Sequence, residues 1–359
     1  MNPLELKKLL FILLLAPALI YGQAARKYSN EFLNIGVDAA AFGMGKAVVA
    51  TTSDVNSGYW NPAGLTNVSD YQGALMHAEY FAGIAKYDYG AFAMPIDSIS
   101  SFGFSIIRFA VDDILDTTEL IDNEGNIDYD RINLFSAADY AFNFSYARKL
   151  KIQGLNIGGN AKIVRRTIGD FASSWGFGID AALQYKSEKW QYGVMLRDIT
   201  TTFNAWSFDE DELEKIQNAI PGENQEAPET LELTLPKMQL GVARNFDLKK
   251  KFSLLAEVDI DARFAETNDL VSTSFISFSP SAGVEANYAQ IVYLRAGVNN
   301  FQKEVDFNND DSITLQPNFG VGFKYHGIQI DYALSNIGSV GNALYSNIFS
   351  LKVDFSAFR

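Results

Sequence analysis

Along most of the chain, hydrophobic and polar residues alternate one for one. Over 174–186, Trp175, Phe177, Ile179, Ala181, Leu183 and Tyr185 interleave with Gly176, Gly178, Asp180, Ala182, Gln184 and Lys186. The pattern returns over 277–288, with Phe278, Val284 and Tyr288 against Ser277, Gly283 and Glu285, and over 315–326, with Leu315, Phe319, Val321 and Phe323 against Gln316, Asn318, Gly320 and Lys324. A period of two marks β-strands with one face in apolar surroundings. A sandwich hides that face in its core, whereas a transmembrane barrel turns it to lipid and keeps the polar set in its lumen. Length decides between them. Runs of about 10 to 13 residues exceed common strands and suffice to cross a bilayer at a tilt. Aromatics near strand ends, Trp175 with Tyr185 and Tyr140 with Tyr146, suit the two membrane interfaces.

The fold class is therefore all-β: a transmembrane antiparallel up-and-down β-barrel of about 14 strands. The strands are expected near 71–81, 86–95, 100–110, 136–148, 155–167, 174–186, 189–199, 234–244, 252–260, 276–287, 291–299, 314–325, 327–335 and 346–357. An even number leaves both chain ends on the periplasmic side. The long connections, 111–135, 200–233, 261–275, 300–313 and 336–345, all follow odd-numbered strands, while those after even-numbered strands are short. Long outer loops and short periplasmic turns require that parity, and a sandwich does not.

The first 70 residues follow another rule. Lys7-Lys8, an apolar run over 9–20 and the small residues Gly22-Gln23-Ala24-Ala25 predict a signal peptide over 1–22, cleaved between Gly22 and Ala25. With no cysteine after the run, no lipoprotein anchor is expected. Residues 23–70 include the small, apolar, glycine-rich stretch 32–45, which is too short to span a bilayer and too apolar to hang in the periplasm. It is expected to form a plug or hatch inside the barrel of 71–359, because a lumen of about fourteen strands is wider than side chains fill. Close to its end, Tyr59 and Trp60 run into Asn61-Pro62-Ala63-Gly64. Asn61 suits a helix cap, Pro62 a first helical position, and Gly64 a reversal into the first strand.

Composition removes whole classes of function. The chain has 359 residues, a formal net charge of -14 and no cysteine. Acidity argues against nucleic acid, and the missing thiols exclude disulfides and Cys-ligated zinc. Gly43-Met44-Gly45-Lys46 lacks the flanking residues of a phosphate loop. His77 and His326, the only histidines, sit on expected strands without a nucleophile or carboxylate constellation, and are read as lumen or interface residues. The acidic runs 306–312 and 122–128 alternate oxygen ligands, but in the first Asp311 stands where a calcium loop needs Gly, and Pro317 where it needs Glu. No cofactor, metal or catalytic site is expected. Lys162, Asp180, Arg197, Asp198, Glu285, Lys324 and Asp331 are expected in the lumen, lining a solute path or pinning the plug.

The run 26–36, then Phe42-Gly43-Met44-Gly45, then Ser53-Asp54-Val55-Asn56-Ser57-Gly58-Tyr59-Trp60-Asn61-Pro62-Ala63-Gly64-Leu65 resemble the N-terminal signature of the PorV/PorQ outer-membrane proteins. These are similar to the fatty-acid transporter FadL, which also carries an Asn-Pro-Ala-Gly-Leu turn after a plugging segment. The sequence departs from the signature at Asp38-Ala39-Ala40 and at Lys46, where a second glycine is usual. The resemblance implies a non-enzymatic protein of the type IX secretion system of Bacteroidetes, set in outer-membrane lipid. Such a protein binds the C-terminal signal domain of exported cargo and associates with the translocon barrel.

Topology points to the outer loops as the docking surface, above all 200–233. Ser207-Phe208-Asp209-Glu210 resembles a capping box, and Leu213, Ile216 and Ile220 share one face of a short helix before Pro221. Phe203, Trp206 and Phe208 add aromatic surface, while the bland reading is a solvated acidic helix over the barrel mouth. Three classes result: a secretion barrel that binds proteins, a FadL-like channel for hydrophobic small molecules gated by the plug, and an outer-membrane enzyme of the phospholipase type, for which no nucleophile with a nearby histidine can be assembled.

Overall fold

The computed structural model describes residues 29–81, 83–121, 125–219, 230–249, 251–305, 311–335 and 346–358. The expected signal peptide lies outside them, as do much of both candidate calcium runs and Ile220. Fourteen antiparallel strands close into one barrel: β1 Gln72–Tyr80, β2 Ala85–Pro95, β3 Ser100–Asp116, β4 Asn133–Lys149, β5 Leu155–Ile168 and β6 Ala172–Lys186. Two strands follow in two pieces each, β7 as Trp190–Arg197 and Thr202–Phe208, and β8 as Leu231–Thr234 and Lys237–Lys249. The circuit continues with β9 Phe252–Arg263, β10 Ser277–Tyr288, β11 Val292–Val305, β12 Asp311–Tyr325, β13 Ile328–Ser335 and β14 Ser346–Asp354. Closure is first strand to last, from Gln72 opposite Asp354 to Ala78 opposite Ile348.

Both breaks have local causes. In β7, Asp198 and Thr201 take positive φ, 55° and 58°, so the chain steps between its two pairings with β6. In β8, Pro236 has no N–H for the ladder and separates the two pieces.

The alternation sorts faces as its period requires. Trp175 is 50% exposed and Phe177 48%, whereas Asp180, on the opposite parity, is 2% exposed. The same outward row holds Leu315, Phe319, Val321, Phe323 and Tyr325 on β12. A continuous apolar exterior of this kind is a surface for lipid.

Several connections are shorter than their expected bounds. β3 and β4 reach Asp116 and Asn133, and β11 and β12 reduce 300–313 to 306–310. Pairing there continues through Gln302 opposite Thr314 and Glu304 opposite Ser312. On β11, Lys303 and Glu304 put charged residues on both faces at that height, so no alternation announces the end of that strand. The 200–233 connection likewise contains the upper piece of β7, a helix over Glu210–Ala219 and the first piece of β8.

The main apolar core lies between residues 29–68 and the inward faces of β1–β3. Phe32, Val37, Phe42, Trp60 and Leu65 pack with Met76, Tyr80, Tyr87, Tyr89 and Ile107, all buried. Inside 29–68 the regular elements are short: 3-10 turns at Glu31–Asn34 and Pro62–Asn67, and helices α1 Ala39–Gly43 and α2 Ser57–Trp60.

The lumen and its N-terminal segment as the candidate functional site

Residues of opposite chemistry meet where the N-terminal segment crosses the barrel interior. Its backbone donors are taken up by two buried carboxylates of β9. Asp259 accepts from Val48 and Val49 N–H at 2.9 and 3.0 Å, and Glu257 accepts from Ala50 N–H at 2.6 Å and from the Thr51 hydroxyl. Backbone carbonyls of the segment are met by amide and guanidinium donors on other strands. Asn160 donates to Gly58 O at 2.9 Å, Gln184 to Thr52 O at 2.9 Å, and Arg197 to Tyr59 O at 2.8 Å. A segment with almost no regular structure thus has its backbone groups satisfied by the wall, as burial demands.

The turn at 58–67 is the hub. Asn61, fully buried, ends α2 and caps the following 3-10 turn, its Oδ1 accepting from Ala63 N–H at 3.2 Å. Its Nδ2 donates to Val49 O at 2.9 Å and to Leu183 O of β6 at 3.1 Å, tying segment to segment and segment to wall. Pro62 occupies the first position of the turn. The aromatic pair before it closes the N-terminal arm: Tyr59 O–H donates to Leu33 O at 2.6 Å and Trp60 Nε1–H to Val37 O at 3.0 Å. The two rings meet edge-on at 4.9 Å, and the Arg197 guanidinium lies 4.5 Å from the Tyr59 centroid.

Gly64 is required by space rather than by reversal. A Cβ there would strike Thr52 O and the Ser57 side chain. Gly43 rests on Gly320 of β12, and Gly45 has φ +63° with Val298 of β11 against it. Lys46 continues that left-handed stretch at φ +65°, which accounts for the glycine usual at this place. The wall answers with glycines of its own: Gly193 and Gly241 face Val49–Ala50, and Gly283 and Gly297 face Met44. Each pair is in register across neighbouring strands. Inward glycines in strands were the missed signal, because a strand glycine marks where another backbone approaches.

Charges fall into two sets. Within the wall, Lys162 bridges Asp180 and Asp198 at 2.9 and 2.6 Å, and Arg295 bridges Glu285 and Asp331 at 2.6 and 2.7 Å. Between wall and segment, Lys352 pairs with Asp54 and, at 3.9 Å, with Asp38. Burial pulls Asp54 upward, but the Lys352 ammonium holds its carboxyl below the usual range. At Asp38 burial wins over the same ammonium and keeps the carboxyl raised. Of the groups expected to face the lumen, Lys324 stands exposed at the mouth, and Glu257, Asp259, Arg295 and Lys352 join them.

The expected docking cluster does not assemble on one surface. Phe203 points outward, its ring 5.9 Å from Phe177, while Trp206 and Phe208 lie on the inward parity and stack at 6.2 Å, with Arg166 over Trp206. A pleated strand sends alternate residues to opposite faces, which no reading of 200–233 as loop anticipates. Leu213 is on the helix, capped by Asp209 rather than by Ser207 through bonds from Asp211 and Glu212 N–H, while the Ile216 side chain lies outside the described residues. His77 faces outward and pairs with Asp88 at 2.7 Å, and His326 occupies the β12–β13 turn. Among the described residues no group of three or more His, Asp or Glu is placed to hold a metal ion.

Two cavities lie in the interior among the described residues. One of about 960 Å³ opens at the short-turn end, bounded by Thr51–Asp54 of the segment, and one of about 10 Å³ lies between Leu33, Tyr59 and Arg197.

Solved structures share this architecture. A monoaromatic hydrocarbon channel, CymD, is similar with a TM-score of 0.54 at 13% identity, over 91% of this chain and 98% of that one. The P. putida toluene transporter TodX gives 0.53 at 13% identity, over 89% and 99%. A Pseudomonas aeruginosa FadL homologue gives 0.50 at 13%, over 89% and 98%. Among curated proteins no sequence matches. The family model described as type IX secretion system protein PorV matches residues 23–211, more than half of the chain. With a closed fourteen-stranded barrel, an apolar exterior and this match, the chain belongs to the PorV family of the type IX secretion system and is an outer-membrane β-barrel.

Proposed function

We propose that the barrel serves secretion as a docking protein: its outer loops hold exported cargo by the C-terminal signal domain, or hold the translocon barrel, while residues 23–70 act as a plug. The observation that carries this reading is how the inward residues spend their hydrogen bonds. Glu257, Asp259, Asn160, Gln184 and Arg197 all hydrogen-bond the backbone of 48–59, which favours a plug over an open solute path. With the axis occupied, contact with other proteins falls to the exterior and the mouths.

A FadL-like channel for hydrophobic small molecules is the second reading, drawn from the shared fold. It requires an apolar compartment, and the aromatic wall that could form one, Tyr80, Tyr87 and Tyr89, is packed in one core with Phe32 and Leu33. Affinity purification of the full chain from its native outer membrane separates the two. Co-purification of a very large barrel or of proteins sharing a C-terminal domain supports docking; recovery alone, with an apolar ligand in the extract, overturns it in favour of the channel.

A further inference from the structure

At the short-turn end, the inward-facing rows of three strands finish in lysine, Lys149 on β4, Lys186 on β6 and Lys324 on β12, and that of β14 carries Lys352 just before its last residue, Asp354. Each extends the lumen-facing parity of its strand, two residues past Ala147, Gln184, Gly322 and Ser350. The outward neighbours there are Tyr185, Phe323, Tyr325 and Leu351, so the lysines turn away from lipid. All four line the 960 Å³ cavity, whose inner wall is Thr51–Asp54.

Of the cations at this cavity, Lys352 is matched by Asp54 and Asp38, and Arg295 by Glu285 and Asp331. Lys149, Lys186 and Lys324 form no ion pair among the described residues. Asp54 feels the Lys324 charge as well as that of Lys352, its direct partner, so these lysines leave the cavity with an excess of positive charge in a chain whose net charge is -14. Gln153, Gln191, Asn245 and Gln329 supply amide donors and acceptors between them. Charge and amides together suit an extended chain that carries carboxylates and offers its own peptide groups.

We propose that this vestibule binds an acidic polypeptide segment presented from the periplasm, a role independent of docking at the outer loops. Because the lysines face the lumen, a lipid headgroup in the adjoining leaflet is the less fitting anion. The test uses the full chain in non-ionic detergent and a fluorescent decaglutamate peptide read by anisotropy. The expected result is saturable binding that weakens as salt is raised and falls at least tenfold in the Lys149→Gln, Lys186→Gln, Lys324→Gln triple variant. Heat-modifiability on a gel verifies that the variant is a folded barrel, and single variants replace it if it is not. Absence of binding, or equal binding by the triple variant, overturns the proposal. So does a triple variant that keeps the peptide but loses phosphatidylglycerol micelles, which would assign the lysines to lipid.

Discussion

A single buried amide does more at Asn61 than its size suggests. It caps a turn and gives its two N–H bonds to carbonyls of different elements, Val49 in the segment and Leu183 in the wall. Removing it loses two hydrogen bonds at about 1 kcal/mol each, Val49 O keeping its second donor, Gln184 Nε2 at 3.2 Å, plus about 1 kcal/mol for the cap. Asn61→Ala is accordingly expected to lower the stability of the docked segment by about 3 kcal/mol, measured by denaturant unfolding in detergent. Asp54 gives a pH dependence of defined sign. Its carboxyl is held below its ordinary value of 3.8 in the folded chain, so its contribution is present above that value and fades as pH falls through the lower, folded one. Asp38 shifts the other way and opposes it. Between pH 5 and 3 the wild-type melting temperature should therefore fall further than that of Asp54→Asn, which lacks the ionisable partner of Lys352. Parallel curves for the two proteins would remove Asp54 from the account.

Elements were legible in proportion to how strongly their surroundings differ on two sides. Strands in the apolar belt alternate cleanly, and the 174–186 row was assigned to the right faces residue by residue. Where a strand rises past the belt, as β11 does at Lys303 and Glu304, charged residues stand on both faces and the period disappears. The upper piece of β7 is hidden for another reason: its buried face mixes Thr202 and Asn204 with Trp206, after the break at Asp198 and Thr201, and with it goes the separation of Phe203 from Trp206. In the segment, the turn at Asn61-Pro62 was readable because capping is local chemistry, but Glu257 and Asp259 were not, since their partners are more than two hundred residues away. The glycine pairs of the wall could have linked the two. Gly297→Val tests that link: valine favours a strand, so the barrel persists, while its side chain takes the place of Met44 and Gly45. The outcome expected is a heat-modifiable barrel whose segment 29–68 is cleaved by protease at least tenfold faster than in the wild type. Unchanged cleavage would mean that the wall yields instead.

At the scale of the whole molecule, charge is divided between the two ends. The outer connections 117–132 and 209–230 carry thirteen acidic and two basic residues, while the opposite mouth is ringed by inward lysines. Such separation sets up a field along the barrel axis that steers partners by end, and steering acts on association rate more than on residence time. The helix over Glu210–Ala219 opens with Glu210, Asp211 and Glu212 and adds Glu214, so it concentrates the outer field on one element. Reversing these four to lysine changes the local charge by eight without touching a wall residue, so the barrel should fold and remain heat-modifiable. If the outer loops are the docking surface, the partner recovered from the membrane should associate with this variant at least tenfold more slowly at low salt. The difference should shrink as ionic strength rises past the point where the screening length falls below about 10 Å. An unchanged rate at low salt would detach docking from this helix and turn attention to the β3–β4 connection or to the lipid-facing wall. A slower rate with the same salt slope would instead mean that the helix acts by shape, through Leu213, rather than by charge.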